Sequence, residues 1–81
     1  MMAIYVDRLQ VYDGRSWCHM ATDSDLNMLH FFAKEIGLKR AWFQEHPFVP
    51  HYDLTPGKRA MAIRAGAIPV SATELARRCR R

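Results

Sequence analysis

The segment His46-Pro47-Phe48-Val49-Pro50-His51-Tyr52-Asp53 brings two imidazoles and a carboxylate into one short stretch of chain. Imidazole nitrogens and carboxylate oxygens suit a borderline divalent ion such as zinc, manganese or iron. In extended backbone, side chains two residues apart point the same way, so His51 and Asp53 share a face. His46, His51 and Asp53 are therefore candidate metal ligands, and His19 could complete the set. The spacing matches no established zinc signature, and neither C-x-x-C nor H-E-x-x-H occurs. The H-x-D pair also opens the two-histidine, one-carboxylate site of iron oxygenases, but their double-stranded barrel does not fit into 81 residues.

The same residues support chemistry without a metal. A histidine titrating near neutrality and oriented by an aspartate is a ready proton carrier. His51 with Asp53 or Asp7 fits that role, and His19 joins the candidate catalytic set. Arg59 or Lys58, at the start of a helix whose N-terminus itself favours anions, would receive a phosphate. The structural alternative is that His51 and Tyr52 pin the loop by hydrogen bonds while Asp53 caps the turn before Thr55. His30 lies beside the apolar stripe of a helix; it reads as a boundary residue unless the proline-rich loop crosses that helix and brings it to His46 or His51. Trp17, Trp42, Phe43, Phe48 and Tyr52 are many rings for a small core. Core packing is the first reading for Trp42 and Phe43, and a platform stacking on bases is the alternative.

These side chains depend on the elements that carry them. Ala3 to Asp7 reads as a strand. Asp13-Gly14 between apolar-aromatic runs signals a type I′ hairpin, with Trp17 and His19 on one side of the ribbon and Cys18 on the other. Thr22 and Asp25 approximate a capping box for a helix from about Asp23 to Ile36, with Leu26, Leu29, Phe32, Ala33 and Ile36 facing inward and Gly37 ending it. Trp42 and Phe43 follow in a short extended piece, and the two prolines make residues 46–54 an extended loop. Thr55-Pro56 starts a second helix that stops at Gly66, with Ala60, Met61 and Ile63 inward. Ala67 to Val70 is a brief edge strand, and Ser71-x-x-Glu74 opens a third helix with Leu75, Ala76 and Cys79 inward. This order predicts one α/β domain over residues 1–81: an N-terminal strand and hairpin, then alternating helices and short strands, with three helices on a small mixed sheet. Strand ends hold the sites of such sheets, which draws Asp7, the 46–53 loop and Ser71 towards one edge.

Composition sets the outer limits. The hydrophobic share is 49% and the charged share 25%, as in an ordinary globular chain. No apolar stretch approaches the roughly 20 residues of a membrane span, and the N-terminus lacks a basic leader region. A cytoplasmic protein with Cys18 and Cys79 as free thiols is the expectation. The net charge of +4 arises in the second half, where seven basic residues face three acids. Arg77, Arg78, Arg80 and Arg81 form a basic helix end, which suits either the negative pole of that helix or contact with phosphate.

Ile4-Tyr5-Val6-Asp7, Trp17-Cys18-His19 ahead of Asp23, Leu29-His30, Ile36-Gly37-Leu38, Trp42-Phe43-Gln44, His51-Tyr52-Asp53-Leu54, Ala65-Gly66-Ala67 and Val70-Ser71 follow one another in a recognisable order. Together they resemble the bacterial and phage domain of unknown function 4031 over nearly the whole chain. The resemblance implies no activity. It nominates Asp7, His19, Asp23, His30, His51 and Asp53 as the polar positions of the pattern. Cys18 stands where serine is more usual, which argues against a catalytic thiol.

The functional expectation is a His/Asp pocket of Asp7, His19, His51 and Asp53 that binds or acts on a phosphate-bearing ligand, a nucleotide or nucleic acid. A divalent metal is the candidate cofactor, with Arg59, Lys58, Tyr52 and His30 as ligand-binding residues. The rival, from another class, is a non-enzymatic phage or bacterial interaction protein. It would bind a host protein, or sequester a small ligand, through the aromatic loop around Phe48. A thin core with exposed rings is compatible with a homodimer and does not require one.

Overall fold

Alternation of apolar and polar residues along one eight-residue strand organises the molecule. The structure, a computed structural model, describes residues 3–81, so residues 1–2 of the expected domain lie outside it. The strand β3 (Arg15–Thr22) follows β1 (Ile4–Val6) and β2 (Gln10–Tyr12). Next come α1 (Leu26–Glu35), a single 3-10 turn at Arg40–Trp42, β4 (Phe43–Gln44), β5 (His51–Leu54), α2 (Pro56–Arg64), β6 (Ile68–Pro69) and α3 (Ala72–Cys79). The sheet order is β4-β5-β3-β1-β6, with β2 paired to the outer half of β3. Only β1 and β6 run parallel; the other pairs are antiparallel. The expected mixed sheet with three helices is therefore the fold.

The β2–β3 turn has Asp13 at φ 53° and Gly14 at φ 76°, the two positive values that a type I′ turn requires. On one sheet face, Ile4, Val6, Cys18, Met20, Tyr52 and Leu54 pack with Leu29 and Ala33 of α1 and Ala62 of α2. On the other, Tyr5 and Ala21 meet Leu75 and Cys79 of α3. About two turns of helix, the length of α3, cannot cover a whole sheet face. The part beyond Tyr5 and Ala21 carries Asp7, His19, His51 and Asp53 instead of apolar side chains.

Several local expectations shift. Thr22 remains in β3, where its hydroxyl donates to the Ala3 carbonyl, and the Asp23 carboxylate accepts from the Ala3 amide and the Tyr5 hydroxyl. With both side chains holding β1, Asp25 becomes the N-cap of α1, and the helix begins at Leu26. The proline-punctuated segment yields a strand after all. His51–Leu54 lies past Pro50, so its amides are free to pair with β3 and β4. Trp42 is 47% exposed on its turn rather than core, whereas Phe43 packs against the core. In α2 the inward residues are Ala62 and Ile63; Ala60 and Met61 are exposed. No helix among the described residues is long and apolar enough to cross a membrane.

Gly37 closes α1 in a Schellman arrangement: its N–H donates to the Lys34 carbonyl, and that of Leu38 to Ala33. Its φ is +83°, and a β-carbon there would sit 2.8 Å from Lys58 Nζ, which itself donates to the Ile36 carbonyl at the same helix end. Gly37→Ala is expected to cost about 1–2 kcal/mol for the left-handed backbone alone. Urea unfolding checks this; an unchanged midpoint would contradict it.

The basic tail folds back on the domain. Arg80 lies over the Phe48 ring and Arg78 over Tyr5, while Arg77 and Arg78 pair with Glu74. Arg81 reaches the Thr22 and Ser24 carbonyls, and its amide donates to Phe48. Because α3 ends at Cys79, Arg80 and Arg81 lie just past the helix rather than in it.

Candidate functional site

Strand register brings the histidines together. His19 of β3 stands directly opposite Asp53 of β5, and a cross-strand pair on one face is in side-chain contact range. His51, two residues before Asp53, projects from the same face, as its spacing predicts. The two imidazoles meet edge to face at 4.8 Å between ring centres. Asp7, just past the end of β1, approaches from the neighbouring strand and is 1% exposed.

Hydrogen bonds then fix each ring. The His19 backbone amide donates to Asp7 Oδ1 at 2.6 Å, and its Nδ1–H donates to Asp7 Oδ2 at 2.8 Å. Nδ1–H of His51 donates to the Val49 carbonyl at 2.7 Å. A carboxylate and a carbonyl can only accept here, so each imidazole carries its neutral-form proton on Nδ1. Both Nε2 atoms are thereby left as lone-pair donors. They stand 4.0 Å (His19) and 3.4 Å (His51) from the same Asp53 oxygen. One ligand atom from each of His19, His51 and Asp53 lies within 4.8 Å of the others. Tetrahedral bonds of about 2.0–2.2 Å put ligand atoms roughly 3.3–3.6 Å apart, so modest side-chain contraction would close this set on an ion.

His46 does not join it. Its Nδ1 accepts the amides of Phe48 and Val49 and so turns the loop, leaving its ring 6.1 Å from that of His51. His19 takes the place in the cluster that the sequence suggests for His46. The expected convergence of strand ends does occur: Asp7, His19, His46 and His51 line one small pocket with Ala72 and Leu75 of α3. Ser71 itself is occupied, capping α3 through the Glu74 amide.

The other nominated ligand residues lie apart from this cluster. Tyr52 is turned to the opposite face, where its hydroxyl and His30 Nδ1 share a 2.9 Å hydrogen bond beside Phe43. His30 thus stays away from His46 and His51, and burial, aided by Arg40, lowers its pKa. Lys58 spends its ammonium on the end of α1. Arg59 donates Nε–H to the backbone carbonyl of Asp7, from a helix packed on the face opposite the imidazoles. Both cysteines are free and buried; burial pushes the Cys18 thiol up to about 12 and Cys79 to about 11, which removes thiolate chemistry at neutral pH.

The hydrogen bond to Asp7 raises the pKa of His19, against an opposing contribution from burial. A raised folded-state value stabilises the protein below the unfolded pKa of about 6.5, and that stabilisation is lost as pH rises through the folded value. Metal-free protein is therefore expected to become easier to unfold as pH rises above about 6.5 and through the raised folded-state value. The His19→Asn variant should lose that part of the slope. His51, His46 and Asp53 also face this ring, so the variant comparison, not the slope alone, isolates His19. Partial exposure of its side chain keeps the effect small.

Beyond the cluster, a groove of about 650 Å³ runs under the hairpin, lined by Gln10, Tyr12, Arg15 and Trp17 as well as His19 and Asp53. Arg15, Gln10 and Tyr12 were not legible as site residues. The available signal was the two-residue period of β3, which aligns Arg15 and Trp17 with His19.

A family profile for the protein of unknown function DUF4031 matches residues 4–81. The chain belongs to that family. Among curated proteins and solved structures nothing matches it significantly. The six polar residues that the resemblance nominates divide here: Asp7, His19, His51 and Asp53 build the cluster, Asp23 ties down β1, and His30 serves the opposite face.

Proposed function

We propose that this DUF4031 chain holds a divalent transition-metal ion between His19, His51 and Asp53, and uses its remaining coordination positions to capture a phosphate-bearing ligand. The observation that carries this is the pinning of both imidazoles through Nδ1, which aims both Nε2 lone pairs at one carboxylate. Such outer partners, a carboxylate for one ring and a carbonyl for the other, are what metal-bound histidines ordinarily have. Three protein ligands leave coordination positions for an exchangeable oxygen ligand, as in metal sites that act on substrates. When bound, the ion supplies Lewis acidity; Asp7 orients His19 and balances part of the added charge. A chain of net charge +4 favours anionic ligands in general.

Titration of zinc, manganese and ferrous ion into chelator-treated protein tests the proposal, followed by inorganic phosphate. A one-to-one metal complex, with phosphate binding only when metal is present, is the expected result. Absence of metal binding, or retention of it in His51→Ala, would overturn it.

A second reading, an interaction protein acting through the loop around Phe48, draws on the 50% exposure of that ring. Arg80 already lies over it, which leaves a smaller free apolar surface than the loop's composition suggests. Loss of a captured partner on Phe48→Ala, with metal irrelevant, would favour that reading.

A further inference from the structure

We infer that the groove beside the His19/His51/Asp53 cluster is a nucleotide site, in which a base stacks on Trp17 while its phosphate reaches the metal position. The inference rests on the metal reading for the phosphate end and stands on separate residues for the base.

The hairpin extends the same sheet face as the cluster. Arg15, Trp17 and His19 alternate along β3, and the register places Gln10 opposite Trp17 and Tyr12 opposite Arg15. These four side chains line one groove with His19 and Asp53. Its volume, about 650 Å³, is that of a small-ligand site. Trp17 and His19 are two residues apart on an extended strand, so their backbones are separated by about 6.5–7 Å. The base and the phosphate of a single nucleotide are separated by a comparable span. Arg15 lies beyond the indole by the same step, where a guanidinium can stack on the base or meet a second phosphate. Asp13, in the turn, and Asp53 are the groove's two acidic residues beside Arg15.

Four other rings carry a cation over one face: Phe43 under Arg40, Trp42 under Lys39, Phe48 under Arg80 and Tyr5 under Arg78. Trp17 and Tyr12 are not among them. Tyr12 is 77% exposed, so its ring is open to a ligand lying in the groove. An indole, a phenol, an amide and a guanidinium on one strip, leading to a cluster of metal ligands, form the donor set that recognises a base and its phosphate together.

The test uses the full chain loaded with the metal it binds, in a Trp42→Phe background, so that Trp17 is the sole indole. Adenosine 5′-monophosphate is expected to quench Trp17 fluorescence saturably and to bind at least about 5-fold more tightly than ribose 5-phosphate. Trp17→Ala should remove that advantage, a loss of about 5- to 150-fold, with metal affinity unchanged; Trp17→Tyr should retain most of it. Equal affinity for the two phosphates would overturn the base platform while leaving the metal reading intact. Absence of metal binding with persistent, Trp17-dependent quenching would overturn the metal reading and keep the platform. A 5′-phosphorylated oligothymidylate distinguishes the source of the nucleotide. Tighter binding than thymidine 5′-monophosphate, lost on Arg15→Gln, identifies the end of a single strand; equal binding identifies a free nucleotide.

Discussion

His51→Ala is expected to weaken metal binding by more than about 100-fold, and Asp7→Asn by about 10- to 100-fold. The difference follows from what each residue supplies. His51 contributes a nitrogen that would bond the ion directly, beside the Asp53 oxygen 3.4 Å away. The Asp7 carboxylate hydrogen-bonds to His19, accepting from its backbone amide and from Nδ1–H. An asparagine there can still accept one of those bonds, but its amide nitrogen is a donor and opposes the Nδ1–H tautomer that frees Nε2. His19→Ala and Asp53→Ala should behave as His51→Ala does, whereas His46→Ala should leave metal affinity near its original value, because His46 holds the loop through Nδ1. Isothermal titration, or competition against a chelator of known affinity, reads all five. Metal at about 100 times its dissociation constant stabilises the folded state by about 2.7 kcal/mol. In a domain of this size that raises Tm by about 10–20 °C. A Tm rise of that order in His51→Ala would sink the site.

Leu29→Ala is expected to cost about 2–5 kcal/mol, a large part of the roughly 4–12 kcal/mol that 81 residues ordinarily sustain. Leu29 is fully buried on α1 and packs with Met20, Tyr52 and Leu54 at the centre of the larger core. No neighbouring element can easily collapse into the space, since β3 and β5 are held on both sides by other strands. Met61→Ala is the contrast. Helical spacing alone suggested an inward Met61, but it is 37% exposed, so its truncation should stay within about 0.5 kcal/mol. Equal losses for the two in urea unfolding would mean that the face of α2 has been misassigned.

Local chemistry made much of this protein legible. Asp13-Gly14 announced its hairpin because few residue pairs tolerate two positive φ angles, and Thr55-Pro56 and Ser71-x-x-Glu74 announced their helices because capping oxygens act within three residues. The shared face of His51 and Asp53 followed from the geometry of one strand. Interactions spanning many residues were not legible. Nothing near Thr22 or Asp23 indicates that both would be drawn from the helix to hold Ala3 and Tyr5. Nor does the proline-rich segment reveal that His51–Leu54 would be accepted into the sheet between β3 and β4.

The candidate site shows the same division. Residue types and short spacings along the chain determined that imidazoles and carboxylates were available and which of them shared a strand face. Tertiary structure alone decided which of them meet. The register of β3 against β5 set His19 opposite Asp53, the end of β1 delivered Asp7, and the sheet itself now separates Tyr52, His30 and Arg59 from the cluster. Strand pairing joins residues more than thirty positions apart, and its register is selected by the packing of both sheet faces at once, so no local stretch of sequence carries that information.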